Sequence, residues 1–112
     1  MNDIRILTDE LARFRDERNW SQFHNTKDLA LAISIEAAEL NELFLWKSTE
    51  ECEKVNQDKL KEELADVLAF SLLLAEKHGL DVKEIVLEKI RKNGEKYPIE
   101  KSKGTAKKYN EL

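Results

Sequence analysis

From Lys27 to Trp46 the chain runs KDLALAISIEAAELNELFLW, without a glycine or a proline. Wound as a helix, its apolar residues, among them Leu29, Ile33, Ala37, Leu40 and Phe44, cover almost the whole circumference. A helix that is apolar all round is expected to be buried all round, which demands other helices on every side. Only three Gly and one Pro occur in 112 residues, too few for the turns of a β-domain. The fold class is therefore all-α. At 13.1 kDa one chain builds one core and not two, and four short helices cannot enclose the central one, so a four-helix bundle completed by homo-oligomerisation is expected.

Helical spacing of Ile4, Leu7, Leu11 and Phe14 predicts an amphipathic helix over about 3–18, followed by a loop, NWSQFHNTKD. The second helix spans about 27–46. Ser48 and Glu51 have the form of a capping box, so the connector is expected to hold a short extra turn. A third helix over about 58–78 stops at His78-Gly79, and a second capping box, Asp81 with Glu84, opens a fourth helix that runs to about Asn93-Gly94. Residues 1–97 read as a single helical domain, and 98–112 as a basic, non-helical tail of the same domain.

Two of these helices carry acids where apolar residues are expected. Glu36 and Glu39 sit in SIEAAELNELF, and Glu63 and Asp66 in EELADVLAF. Residues three apart are neighbours on a helix surface, and these pairs share their faces with Ile33, Leu40, Ala69 and Phe70, so the acids are expected on buried faces. In an antiparallel hairpin that turns near Glu51, Glu36 comes level with Asp66 and Glu39 with Glu63. Four ionised carboxylates at one level repel one another and require positive charge. No Lys or Arg lies between Lys27 and Lys47 to supply it. A set of oxygen ligands without His or Cys suits a hard divalent ion, Mg²⁺ first and Mn²⁺ second, rather than zinc. Mg²⁺ held by carboxylates keeps positions open for water and phosphate, which points to attack of water on a phosphoanhydride. A di-iron carboxylate bundle would need Glu-x-x-His pairs, and neither His24 nor His78 has a Glu three residues before it.

The formal net charge of -4 argues against a general nucleic-acid binder. A single cysteine, Cys52, excludes an intrachain disulfide and makes a reducing cytoplasm the default. The first eighteen residues are charged throughout and lack the apolar stretch of a signal peptide; no run is long enough to span a membrane.

Glu36-x-x-Glu39 followed by Glu63-x-x-Asp66 resembles the MazG-like all-α nucleoside triphosphate pyrophosphohydrolases. FRDERNWSQFH, EAAELNELFLWKS, EELADVLAF, KNGEKYP and SKGTAKKYNEL extend the resemblance from about Ala12 to Leu112, toward the small dCTP pyrophosphatase branch. It implies a MazG-like bundle and a Mg²⁺-dependent enzyme that releases pyrophosphate and leaves the monophosphate, as in cleansing of the nucleotide pool. It also implies a homodimer or homotetramer whose chains complete each other's sites. By position, Glu36, Glu39, Glu63 and Asp66 correspond to the metal ligands; in the mechanism expected of such a site, Glu39 accepts the proton of the attacking water. Trp20, Trp46 and Phe70 correspond to base-binding aromatics, with His24 nearby and Asn93 near the nucleotide. Lys47 and Lys96, each beside a family motif, are the preferred partners of the triphosphate. Phe70 stands where the related dCTP enzymes carry Tyr, and Gly94 where they carry Arg. Alternatives are a phosphoribosyl-ATP pyrophosphohydrolase, expected to lack the two Trp, and a non-catalytic helical dimerisation module.

Overall fold

Every long helix begins where a short polar side chain can accept an otherwise unpaired backbone N–H. A computed structural model describes residues 2–112, and all regular structure in them is helical. Asn2 caps α1 (Asp3–Glu17), Asn25 caps α2 (Thr26–Glu42), Ser48 caps the one-turn α3 (Thr49–Glu53), and Asn56 caps α4 (Gln57–Lys77). Ser48 and Glu51 form the expected reciprocal box, with Ser48 N–H donating to Glu51 Oε1 at 3.1 Å and Glu51 N–H to Ser48 Oγ at 3.2 Å. Asp81 caps α5 (Val82–Lys96) by accepting the Glu84 N–H at 3.0 Å, but no reciprocal bond from Glu84 accompanies it. This is a simple cap rather than the second box expected.

The chain divides after Leu80 into two compact units. In the first, α4 packs on both α2 and α1, and Leu29 (2% exposed), Leu73, Ala75 and Thr8 are its buried residues. The α2–α4 hairpin is thus the expected one, turning through α3. In the second unit, α5 is followed by α6 (Ile99–Ser102) and a 3-10 turn at Tyr109–Glu111. Tyr97 and Tyr109 meet edge to face at 6.2 Å, and the Lys96 ammonium lies 5.0 Å from the Tyr109 ring centre.

Four expectations are corrected. The second helix ends at Glu42, not Trp46, because the chain turns through Leu43–Trp46 with Trp46 in the left-handed region at φ 63°. It is not buried all round, since Leu31 and Ile35 are half exposed in the single chain, where α4 covers only one side. The fourth helix passes through Gly94 to Lys96, because glycine in a helix interior costs only about 1 kcal/mol, whereas the residue before Pro98 is driven out of helical geometry. The tail contains helical turns, α6 starting directly after Pro98, whose fixed φ suits a helix start.

Candidate active site

The α2–α4 seam gathers the acids toward its α3 end, Glu36 and Glu39 in the second half of α2 and Glu63 and Asp66 in the first half of α4. Glu36, Glu39 and Glu63 each offer a carboxylate oxygen, and the three atoms lie within 4.8 Å of one another. Asp66 stands outside this triplet but near enough for its charge to act on both Glu36 and Glu63. Glu36 and Glu63 are half buried, whereas Glu39 and Asp66 are exposed, so only two of the four occupy covered positions as expected. Glu39 and Asp66 lie on the solvent side of their helices in the single chain.

Electrostatically the cluster is unsatisfied. The Glu36 carboxyl is raised from 4.5 to about 7, first by hydrogen bonding to Glu39, then by burial and by repulsion from Glu39, Asp66 and Glu63. Glu63 is also raised, first by burial and then by the charges of Glu39 and Asp66. Glu36 Oε2 and Glu63 Oε2 are buried and accept no hydrogen bond. Buried acceptors without donors are costly, and a cation of high charge density satisfies several at once. The all-oxygen donor set therefore fits a hard divalent ion.

The remaining expected residues fall into three groups. Trp20 follows a left-handed closure of α1: Asn19 adopts φ 56°, its N–H donates to the Asp16 carbonyl at 3.0 Å, and the Trp20 N–H donates to the Arg15 carbonyl at 3.0 Å. This is the Schellman pattern, and Asn is the side chain other than Gly that tolerates it best. Trp20 meets Phe14 edgewise at 5.8 Å, and the Arg18 guanidinium lies 3.6 Å from the Phe14 ring centre. After a 3-10 turn at Ser21–Phe23, His24 packs edge to face on Phe70 at 6.4 Å, one helical turn beyond Asp66. Its Nδ1 is buried without a partner, and burial together with the charge of Arg15 lowers its pKa from 6.5.

Trp46 and Lys47 lie on the turn after α2, Trp46 with 93% of its surface exposed. Ordinary core packing therefore does not explain this tryptophan, and a left-handed backbone in so bulky a residue is a strained arrangement of the kind found at ligand sites. Asn93 and Lys96 belong to α5 of the second unit.

Sequence reasoning missed Arg15 and Glu76. The Arg15 guanidinium bonds Glu76 Oε2 at 3.1 Å and Asp16 at 2.8 Å, pinning α1 to α4 beside His24. The one sequence signal was an acid closing the apolar run SLLLAE.

The MazG-like family profile matches residues 31–112. The chain belongs to the MazG-like family. It is 39% identical to dCTP pyrophosphatase 1 of Rattus norvegicus and 38% identical to that of Homo sapiens, in each case over 100% of this chain and 67% of the relative. Among solved structures, a pyrophosphatase from Archaeoglobus fulgidus superposes with a TM-score of 0.83 at 40% identity, covering 88% of this chain and 94% of the other. The acid triplet thus lies on the two helices of a fold already known to carry a pyrophosphatase.

Proposed function

We propose that the chain is a Mg²⁺-dependent nucleoside triphosphate pyrophosphohydrolase with a dCTP-like pyrimidine preference, acting in the cytoplasm on the nucleotide pool. The relatives that support this are named dCTP pyrophosphatase 1, and the structural neighbour a pyrophosphatase. The observation that carries the reading is the convergence of Glu36, Glu39 and Glu63, two of them with buried, unpartnered oxygens.

Glu36, Glu39, Glu63 and Asp66 would hold the ion, Mn²⁺ being the natural substitute. When bound, the divalent ion supplies positive charge to the phosphates and acidity to the attacking water. Glu39, exposed and adjacent to both half-buried glutamates, accepts the proton of that water. Water adds to the α or β phosphorus, the α–β bridging P–O bond breaks, and the products are the nucleoside monophosphate and pyrophosphate by either route. Lys47 neutralises the remaining phosphate charge, and Trp20, Trp46, His24 and Phe70 form the base site, aromatic faces stacking on bases; for Asn93 and Lys96, on α5, a role toward the nucleotide rests on the family resemblance alone.

Homo-oligomerisation, to a dimer or tetramer, covers the apolar residues that a single chain leaves open, among them Leu31 and Ile35 on α2 and Leu64 and Leu68 on α4. No helix of the described residues is long and apolar enough to cross a membrane. The decisive experiment measures pyrophosphate release with Mg²⁺ and with EDTA over all canonical nucleoside triphosphates, modified pyrimidines and phosphoribosyl-ATP. Mg²⁺-dependent release strongest for dCTP-like substrates is expected. No release from any nucleotide would leave a non-catalytic helical module, and release from phosphoribosyl-ATP alone would assign the other enzyme class. Sedimentation that shows only a 13.1 kDa species at micromolar concentration would refute the oligomer.

A further inference from the structure

A pocket of about 230 Å³ lies beside the base site, at the junction of α1, the 3-10 turn and α4, and Arg15, His24 and Glu76 share its wall. Arg15 is unusual on α1. Its side chain is only 14% exposed, whereas Arg5 and Arg13 on the same helix keep more than half of theirs in solvent. It touches the loop through its backbone carbonyl, which receives the Trp20 N–H, and its side chain lines the same pocket as His24, whose Nδ1 is buried.

We propose that Arg15 is a positioning residue for base recognition, fixing Trp20 and the imidazole of His24 together against α4 through its ion pair with Glu76. The proposal rests on the assignment of Trp20 and His24 to the base site. Glu76 and Phe70 stand on the same helix as Glu63, so the pair that anchors Arg15 and the ring that supports His24 share the element that carries the acid cluster. A shift of α1 along α4 would therefore move Trp20 and His24 relative to the phosphate-binding acids.

Burial is the larger cause of the lowered His24 pKa, and the Arg15 charge adds to it. The charged groups facing it are Arg15 from α1 and Glu76 and Lys77 from α4, with Asp16 occupying the other edge of the guanidinium. With Glu76 neutralised by its pair, the cation works with burial to keep His24 uncharged at neutral pH. An uncharged imidazole retains a lone pair, which can accept from an exocyclic amino group; the imidazolium only donates. Removing Arg15 leaves Glu76 unneutralised, so both the lost cation and the gained anion raise the His24 pKa.

Two measurements on the whole 112-residue chain test this. In the nucleotide-free protein, NMR titration of the His24 imidazole should give a higher pKa in Arg15→Gln than in wild type, with Arg15→Lys close to wild type. In steady state with dCTP and saturating Mg²⁺, Arg15→Gln should raise KM about fivefold, the lower end of one base–aromatic stack, with kcat within twofold and with the acid limb of the KM profile moved to higher pH. Should the Gln variant not fold, Arg15→Lys, which keeps the charge but not the paired N–H geometry, carries the KM test with a smaller rise. If Trp20→Ala and His24→Ala raise KM while Arg15→Gln leaves it unchanged, the proposal is overturned and the base site stands. An unchanged His24 pKa, or a fall in kcat with KM constant, overturns it as well. If none of the three variants raises KM, the base-site assignment itself fails and the proposal falls with it.

Discussion

Deleting one charge from the acid cluster should stabilise the metal-free protein, and only where Glu36 is ionised. In Glu36→Gln the side chain keeps its shape, its amide can donate to Glu39, and one of the converging negative charges is gone. Between the ordinary 4.5 and the raised value of about 7, the folded wild type holds a proton at Glu36 that the unfolded chain releases. The stability contributed by that proton is therefore complete below about pH 4.5 and lost as the pH rises through about 7. Because the carboxyl is only half buried, solvent screens most of the repulsion, leaving about 1 kcal/mol at pH 8. In a domain of this size that is a difference of about 4 °C in Tm. Thermal melts followed by circular dichroism in EDTA, from pH 4.5 to 8.5, should show the two proteins together at the acid end and the variant above wild type at the alkaline end. Adding Mg²⁺ should reverse the order, since the wild type alone gains the full stabilisation of a bound ligand. A variant equal to or below wild type at pH 8 in EDTA would refute the claim that repulsion among these carboxylates outweighs their local hydrogen bonding.

Turnover should be abolished in Glu36→Gln and Asp66→Asn with the fold retained; substantial pyrophosphate release by either at saturating Mg²⁺ would remove that residue from the ligand set. Trp46→Ala should weaken binding of a non-hydrolysable dCTP analogue by about 1–3 kcal/mol. It should leave the melting temperature of the empty protein nearly unchanged, since the side chain is 93% exposed, and a large fall would show that it is covered in solution. At the left-handed Asn19, Asn19→Gly should be close to neutral, whereas Asn19→Val should cost about 1–2 kcal/mol of stability and raise KM for nucleotide by displacing Trp20, read from denaturant melts and steady-state kinetics. Ser48→Ala should cost about 1 kcal/mol in denaturant melts by opening the box that starts α3.

What the sequence disclosed, and what it withheld, follows the range of the forces involved. Caps at Ser48 and Asp81 are decided within one turn, so they were legible, although the reciprocal bond from Glu84 was not. The meeting of Glu36, Glu39 and Glu63 followed from helical spacing and hairpin register, two rules that need no knowledge of side-chain reach. The separate position of Asp66 depends on that reach and escaped them. The end of α2 was hidden because LFLW contains no breaker: the turn is imposed by the need to enter α3, and a tryptophan takes the left-handed residue's place. The Arg15–Glu76 pair joins distant segments of the chain through one ion pair, and nothing periodic announces such a contact.

The acid cluster also bears on how the chain reaches its fold. The helices α2 and α4 are joined only through residues 43–56, so their pairing is the local contact expected to form early, helical hairpins being fast for that reason. The three glutamates sit toward the α3 end of that contact, and they must be brought together before any ligand has a site to occupy. Early assembly is therefore opposed by charge at neutral pH and released by protonation. The refolding rate, as distinct from final stability, becomes a quantity that acid should raise, and divalent ions should raise it only to the extent that the hairpin is already paired at the barrier.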